Sequence, residues 1–150
     1  MIKLFRTDSK NSDFIRLVKL LDAELKIRDG EDHAFYDQFN KIDMLKNVVV
    51  AYNNKLPIGC GAFKIHPNNT VEIKRMYVAT NGRRLGIASK LLVELECWAK
   101  ELGIKKCILE TGKKQPEAIE LYKKCSYNIT ANFGFYENVE NSVCFEKLIG

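Results

Sequence analysis

Apolar and polar positions recur with regular spacing along most of the chain and predict short strands and amphipathic helices. Alternation from Ile2 to Arg6 predicts an edge strand. An apolar stripe at helical spacing begins after Asn11 or Ser12, which are suitable cap residues, and predicts a helix that ends at Arg28-Asp29-Gly30. The pattern from Glu31 to Lys46 is weaker and indicates a short helix followed by a loop.

Three segments rich in β-branched and aromatic residues follow. Short polar turns separate them, which predicts an antiparallel meander. Gly59 and Gly61 in the middle segment indicate a bulge or a close backbone contact. The predicted strands are Asn47–Tyr52, Pro57–His66 and Thr70–Val78.

The second half of the chain alternates between helical and strand patterns. Apolar residues from Ile87 to Leu102 predict a helix of about four turns that Gly103 closes. A right-handed crossover makes the strand Lys106–Thr111 parallel to Thr70–Val78. Another helix, from Pro116 to about Lys124, and the strands Tyr127–Phe133 and Ser142–Leu148 complete the prediction. The expected fold is a mixed α+β sheet with helices on both faces.

Length and composition limit the class of protein. A chain of 150 residues with 46% hydrophobic and 29% charged residues is typical of a single soluble globular domain, here residues 1–150. The net charge of +5 is spread along the chain and not clustered on one face, so nucleic acid is not an expected partner. The segment Met1–Arg6 is too short and too charged for a signal peptide, and no long apolar run predicts a membrane span. We expect a cytoplasmic protein without a membrane partner.

Cysteines and histidines do not predict a metal site. Five is an odd number of cysteines, none forms a CxxC pair, and all except Cys125 lie in apolar runs, so buried reduced thiols are expected. His33 and His66 are isolated and are interpreted as surface residues. Cys125 has no His-paired nucleophile pattern around it, so covalent catalysis by this thiol is not expected.

The turn between the strand ending at Val78 and the helix starting near Ile87 carries the main chemical signal. It contains Gly82 and Gly86 and two arginines, and it exposes the unpaired N–H groups of a helix N-terminus. Such a turn suits a pyrophosphate. A plain turn with solvated arginines fits the spacing equally well, and neither GxxxxGK[ST] nor GxGxxG is present.

The hexapeptide Arg83-Arg84-Leu85-Gly86-Ile87-Ala88 resembles the [Q/R]-x-x-G-x-[G/A] signature of the GNAT acetyltransferase superfamily, and the resemblance extends over roughly Val49 to Phe145. It implies acetyl-coenzyme A as cosubstrate, no metal, and a mostly antiparallel sheet of six to seven strands with a splayed parallel pair. Gln115 stands where many relatives have an asparagine. The cofactor-binding residues that the resemblance implies are Met76, Val78, Arg83, Arg84, Gly86, Ile87, Ala88, Ser89 and Gln115.

The strand Thr70–Val78 breaks strict alternation, because Ile73 and Met76 are apolar but three residues apart. Burial on both faces is one explanation. The resemblance implies the other, a bulge that parts two parallel strands and leaves the N–H groups of Met76 and Val78 available for the pantetheine arm. Val78 would then polarise the thioester carbonyl.

Acetyl transfer to an amine needs a base and a proton for the departing thiolate. The resemblance places Tyr122 near the cofactor sulfur as general acid, with a packing role in a helix as the alternative. Glu72 matches the position of the base in histone-type members, and Glu110 on the neighbouring strand is the second choice. Either glutamate also fits an ordinary surface-strand charge or a partner for Lys74 or Arg75.

The predicted function is an acetyl-coenzyme A-dependent N-acetyltransferase that moves the acetyl group to a primary amine by direct attack of the amine. A small-molecule acceptor is favoured over a protein amine, and its pocket is expected between Leu25–Phe39 and Phe133–Asn138. The alternative is a non-catalytic acyl-coenzyme A-binding or sensor module, against which the presence of both Tyr122 and Glu72 argues. The resemblance allows a homodimer, and the sequence leaves the oligomeric state open.

Overall fold

The computed structural model describes residues 1–29 and 45–150, which form one seven-stranded sheet and three helices. The strand order in the sheet is β1-β2-β3-β4-β5-β7-β6. The strands are β1 Ile2–Thr7, β2 Asn47–Asn53, β3 Leu56–His66, β4 Thr70–Val78, β5 Lys106–Gly112, β6 Asn128–Thr130 and β7 Ser142–Leu148. The helices are α1 Ser12–Asp29, α2 Ile87–Glu101 and α3 Pro116–Lys124.

The helices cover both faces of the sheet, as the sequence predicts. Helix α1 begins where the N–H of Phe14 donates to Oδ1 of Asn11 over 2.9 Å, and it packs on one face of β2 and β3. Helices α2 and α3 cover the other face, where Leu92 and Tyr122 join the larger core. The only parallel pair in the described sheet is β4 with β5, and the other pairs are antiparallel.

Strand β4 contains a bulge, which decides between the two interpretations of its apolar pattern. Cys60 pairs with Tyr77 but Ala62 pairs with Lys74, so β4 has two residues opposite the single Gly61. The extra residue shifts the alternation by one position, and Ile73 and Met76 therefore both face the larger core.

The parallel pairing of β4 and β5 is short. Its register pairs end at Glu72 with Ile108, whereas β5 continues to Gly112. Beyond Glu72 the two strands separate, as expected from the family resemblance. The splayed ends open a space on the sheet that neither strand fills.

Two details differ from the sequence-based expectations, and a third lies almost wholly outside the described residues. Strand β6 ends at Thr130 and not near Phe133, because Nδ2 of Asn132 donates to the backbone oxygens of Val139 (3.1 Å) and Ser142 (3.2 Å) and draws the chain into a loop. Cys97 is exposed on α2, not buried. The short helix expected between Glu31 and Lys46 falls almost wholly outside the described residues.

No helix in the described ranges is long and apolar enough to cross a membrane.

Gly61 should be sensitive to substitution because the bulge packs against it. A Cβ atom on Gly61 would lie 2.5 Å from Sδ of Met76 and 2.9 Å from Cδ1 of Leu95. We expect Gly61→Ala to lower the free energy of unfolding by about 1–3 kcal/mol through overpacking, as measured by urea unfolding. Gly112→Ala is the matched control in β5, since its Cβ would meet no atom closer than 3.6 Å. Equal stability of the two variants would contradict this packing.

Candidate active site

A cavity of about 120 Å³ lies where β4 and β5 separate. It receives side chains from both strands, from α1 and α3, and from the loop before β7. Both candidate bases and the candidate acid therefore line one space. The lining residues are Leu21, Leu25, Glu72, Ile73, Lys74, Arg75, Met76, Glu110, Thr111, Gly112, Gln115, Ala118, Tyr122 and Tyr136.

The turn after β4 provides an open cradle at the start of α2. Residues Thr80–Gly82 form a short 3-10 turn, and Gly86 caps α2 in the left-handed conformation with φ of 72°. No side chain caps this helix in the described structure, so its first N–H groups keep their donor capacity. A Cβ atom on Gly86 would meet nothing within 4 Å. The turn therefore has the shape and the donors that a pyrophosphate requires.

The two arginines of this turn have different surroundings. Arg83 donates from Nη2 to Glu24 Oε2 over 2.7 Å and from Nε to the Val78 oxygen over 2.9 Å. Its guanidinium also lies 5.9 Å from the centre of the Tyr77 ring. Arg84 is exposed with φ of 68° and pairs with no acidic group among the described residues. Of the two side chains, only Arg84 has no hydrogen bond or ion pair to another of the described residues.

The next three residues contribute differently to the cradle. The side chain of Ile87 is buried in the larger core, so only its backbone faces a ligand. Ala88 is half-buried and small. Ser89 Oγ lies 3.6 Å from Sγ of Cys125, a contact that links the first turn of α2 to the end of α3.

The backbone of Val78 faces the opening between the strands. The N–H of Ala79 donates to the Ile58 oxygen over 2.7 Å, so Ala79 still bonds toward β3. Successive residues of an antiparallel strand direct their N–H groups to opposite sides, and Val78 therefore points away from β3. Its carbonyl oxygen lies on that same outer side, where it accepts the bond from Arg83. An unpaired strand edge of this kind can bond an extended amide chain.

Tyr122 is 7% exposed and lies in the wall of the cavity formed by α3. Its ring contacts the rings of Tyr127 and Phe145 at centroid distances of 5.9 and 5.8 Å. Its hydroxyl has no hydrogen-bond partner among the described residues. Burial raises the pKa of Tyr122 well above its ordinary value, and the nearby Glu110 and Cys125 raise it further. The phenol therefore stays protonated at any physiological pH.

Glu72 is buried and held at both oxygens. Its side chain is 8% exposed, its Oε1 lies 2.9 Å from Nε2 of His66, and its Oε2 lies 3.2 Å from Nζ of Lys74. The ion pair with Lys74, one of the alternatives that the sequence left open, is therefore present. It does not remove Glu72 from the cavity, which both Glu72 and Lys74 line.

Glu110 lies two residues beyond Ile108, the register partner of Glu72, so both glutamates project from the same face of the sheet. Its Oε2 accepts a bond of 2.6 Å from Ser142 Oγ. Gln115 precedes Pro116 at the start of α3, makes no side-chain cap bond, and lines the cavity near Gly112.

His66 is the main residue that the sequence analysis missed. It was expected at the surface, but its side chain is 31% exposed and bonded to Glu72. The short turn between β3 and β4 pairs Lys64 with Glu72, which makes His66 a diagonal neighbour on the same face. The hairpin register contained that signal, and the isolation of His66 in the sequence obscured it. His33 lies outside the described residues.

Residues from both segments predicted to form an acceptor pocket line the cavity. Leu21 and Leu25 of α1 and Tyr136 of the 3-10 turn Gly134–Tyr136 line it. The expected range Leu25–Phe39 extends mostly beyond the described residues. Arg75, in the left-handed conformation at the bulge, donates from Nη1 to Asp22 Oδ1 over 2.7 Å and ties α1 to this wall.

Known proteins with the same fold support this assignment of elements. A Klebsiella pneumoniae protein provisionally named an acyl-CoA N-acyltransferase superposes with a TM-score of 0.84 and 25% identity, over 100% of this chain and 99% of that one. The PaiA N-acetyltransferase of Thermoplasma acidophilum, solved in complex with coenzyme A, gives a TM-score of 0.73 at 19% identity, with 99% of both chains covered. These likenesses confirm the mixed sheet with its parallel pair.

Sequence comparison points to the same group of proteins. An IAA acetyltransferase of Azospirillum brasilense is 34% identical over 100 residues, which are 66% of this chain and 65% of the relative. A Xenopus tropicalis protein named probable N-acetyltransferase 14 is 35% identical, and the match spans 51% of this chain and 38% of that protein. This chain thus spans less than two thirds of the length of these relatives. The model of the acetyltransferase (GNAT) family matches residues 14–127, and the chain belongs to that family.

Proposed function

We propose that this chain is an acetyl-coenzyme A-dependent N-acetyltransferase that acts on a primary amine, with a small molecule favoured over a protein as acceptor. The observation that carries the proposal is the single cavity into which Glu72, Glu110 and Tyr122 all project beside the open edge of β4. Membership in the family makes acetyl-coenzyme A the expected acyl donor, and the complex of the Thermoplasma relative with coenzyme A supports that choice.

The cradle and the strand edge account for the binding of the donor. Backbone N–H groups of Gly86, Ile87, Ala88 and Ser89 would hold the pyrophosphate, and Arg84 would add a flanking cation. Arg83 would have to leave Glu24 to contribute its charge directly, so its main contribution here is to support the turn. The N–H groups of Val78 and Met76 would bond the pantetheine arm, and Gln115 in the cavity wall would contact the cofactor.

The bound donor supplies an activated acyl carbon, and side chains of the cavity would accept and donate the protons of the reaction. Glu72, acting through water, would take a proton from the acceptor ammonium so that the neutral amine attacks directly. The N–H of Val78 would polarise the acyl carbonyl. Tyr122, protonated and without a described partner, would donate to the departing sulfur. Glu110 is the second candidate for the base because it lines the same wall.

Gly86 tests the cradle. In Gly86→Asn a side chain enters the open space at the N-terminus of α2, and asparagine tolerates the left-handed backbone at a cost of about 1 kcal/mol. We expect coenzyme A to bind the unmodified protein at about −7 to −8 kcal/mol and at least roughly tenfold more weakly to the variant, by calorimetry. Gly103→Asn is the matched control, since Gly103 also has a positive φ, of 84°, with no atom near its Cβ position. Equal affinity of the two variants for coenzyme A would contradict the assignment of the pyrophosphate to this turn.

Tyr122 separates catalysis from binding alone. Thiol release from acetyl-coenzyme A, measured with a polyamine, an amino acid, an aminoglycoside and a peptide with a free N-terminus, should identify an active acceptor class. With the best acceptor we expect Tyr122→Phe to lower kcat by roughly 10²–10⁴-fold, with coenzyme A affinity unchanged. Normal turnover in Tyr122→Phe would show that Tyr122 contributes to packing and not to catalysis. Coenzyme A binding without thiol release for any amine would favour a non-catalytic sensor.

Glu72 and Glu110 are distinguished by the dependence of rate on pH. Glu72→Gln keeps the shape of the side chain but accepts no proton, so the acid limb of the kcat–pH profile should flatten and kcat should fall by roughly 10²–10⁴-fold. Glu110→Gln, on the same wall, is the matched control and should keep the acid limb. The reverse pattern would transfer the role of base to Glu110.

A further inference from the structure

We propose that His66 is a positioning residue that holds Glu72 in the orientation it needs as a base. The hydrogen bond between His66 Nε2 and Glu72 Oε1, 2.9 Å long, carries this inference. The inference rests on the proposed function of Glu72. It adds a residue from a different strand, outside the lining of the catalytic cavity, to the machinery of the reaction.

Burial makes the partners of Glu72 important. A carboxylate with 8% of its side chain exposed has lost most of its hydration, and protein donors must replace the lost hydrogen bonds. His66 supplies one donor at Oε1, and Lys74 supplies a charge at Oε2. The two contacts reach the carboxylate from different strands and fix both of its oxygens.

The bond assigns a tautomer to His66. An ionised carboxylate only accepts hydrogen bonds, so the proton between the two groups belongs to Nε2 while Glu72 is ready to act as a base. Neutral His66 therefore has the Nε2–H form, which leaves Nδ1 as an acceptor. In this state His66 donates to Glu72 and cannot also take a proton from it at Nε2.

The location of His66 explains how it can hold Glu72 without blocking the site. His66 lines a second groove of about 520 Å³, near the start of β4 and β5, whereas Glu72 lines the catalytic cavity toward their ends. Glu72 thus lies between its support on one side and the reaction space on the other. The strands around Glu72 and His66 also carry charged residues. These are Lys64 on β3, Lys74 on β4, Lys105 before β5, Lys106 and Glu110 on β5, and Glu146 on β7.

Two variants distinguish positioning from proton transfer. Glutamine carries an N–H donor but no titratable nitrogen, and leucine carries neither. We expect His66→Leu to lower kcat about tenfold, which is less than the roughly 10²–10⁴-fold loss expected when the general base itself is removed. The KM for acetyl-coenzyme A should change little. His66→Gln should restore most of kcat. An equal loss in both variants, with recovery on adding imidazole, would make His66 a proton carrier and overturn the proposal.

A double-mutant cycle separates this inference from the function on which it rests. In a Glu72→Gln background, His66→Leu should have no further effect on kcat, because the group it positions is already inactive. If Glu72→Gln alone has no effect, the assignment of the base fails. If Glu72→Gln lowers kcat but His66→Leu acts equally in both backgrounds, the base stands and the positioning role fails.

One measurement needs no acceptor. The chain has two histidines, so long-range ¹H–¹⁵N spectra of the unmodified protein and of His66→Gln assign the signals of His66. We expect a protonated Nε2 and an unprotonated Nδ1 for neutral His66, and a loss of this preference in Glu72→Gln. The opposite tautomer in the unmodified protein would overturn the proposal even if His66→Leu failed to fold.

Discussion

Opposite Gly61, strand β4 accommodates one residue more than β3, and Arg75 takes a left-handed backbone conformation to make this possible. In the bulge the side chain of Met76 packs against Gly61, at the place where a larger residue would have its Cβ atom. The side chain of Arg75 forms a hydrogen bond with Asp22 of α1. These contacts offset the cost of the left-handed conformation. The pairing of β4 with β5 ends at Glu72, just before this distortion. The cavity and the free strand edge at Val78 lie where the two strands have separated, whereas the two glutamates share a face because of the parallel register.

Helix α1 is bound to this region by two ion pairs on either side of the strand end. Arg75 holds Asp22, and Arg83 holds Glu24 while it also bonds the oxygen of Val78. The same helix contributes apolar side chains to the cavity. One wall of the cavity is therefore connected, through Arg83, to the turn before α2. Such a contact gives the two ends of the site a direct structural link.

The carboxylates that line the cavity are held by polar partners. Glu72 is bonded to His66 and Lys74, and Glu110 is bonded to Ser142. Tyr122, by contrast, lies against two aromatic rings, and its burial and then the charge of Glu110 raise its pKa and keep its proton in place. The two carboxylates and the phenol of the cavity therefore have surroundings of different polarity.

The sequence by itself determined the order of strands and helices, the crossover that makes β4 and β5 parallel, and the glycine turn before α2. These features depend on local periodicity and on turn residues such as Gly86, whose effect acts within a few positions. It also placed Tyr122, Glu72 and Glu110 on the correct elements. Only the tertiary structure decided that β4 is bulged, that Arg83 pairs with Glu24 and that His66 is bonded to Glu72. The broken alternation in β4 allowed a bulge without requiring one, and the two contacts depend on strand register and on how α1 packs across the sheet, which local patterns do not specify.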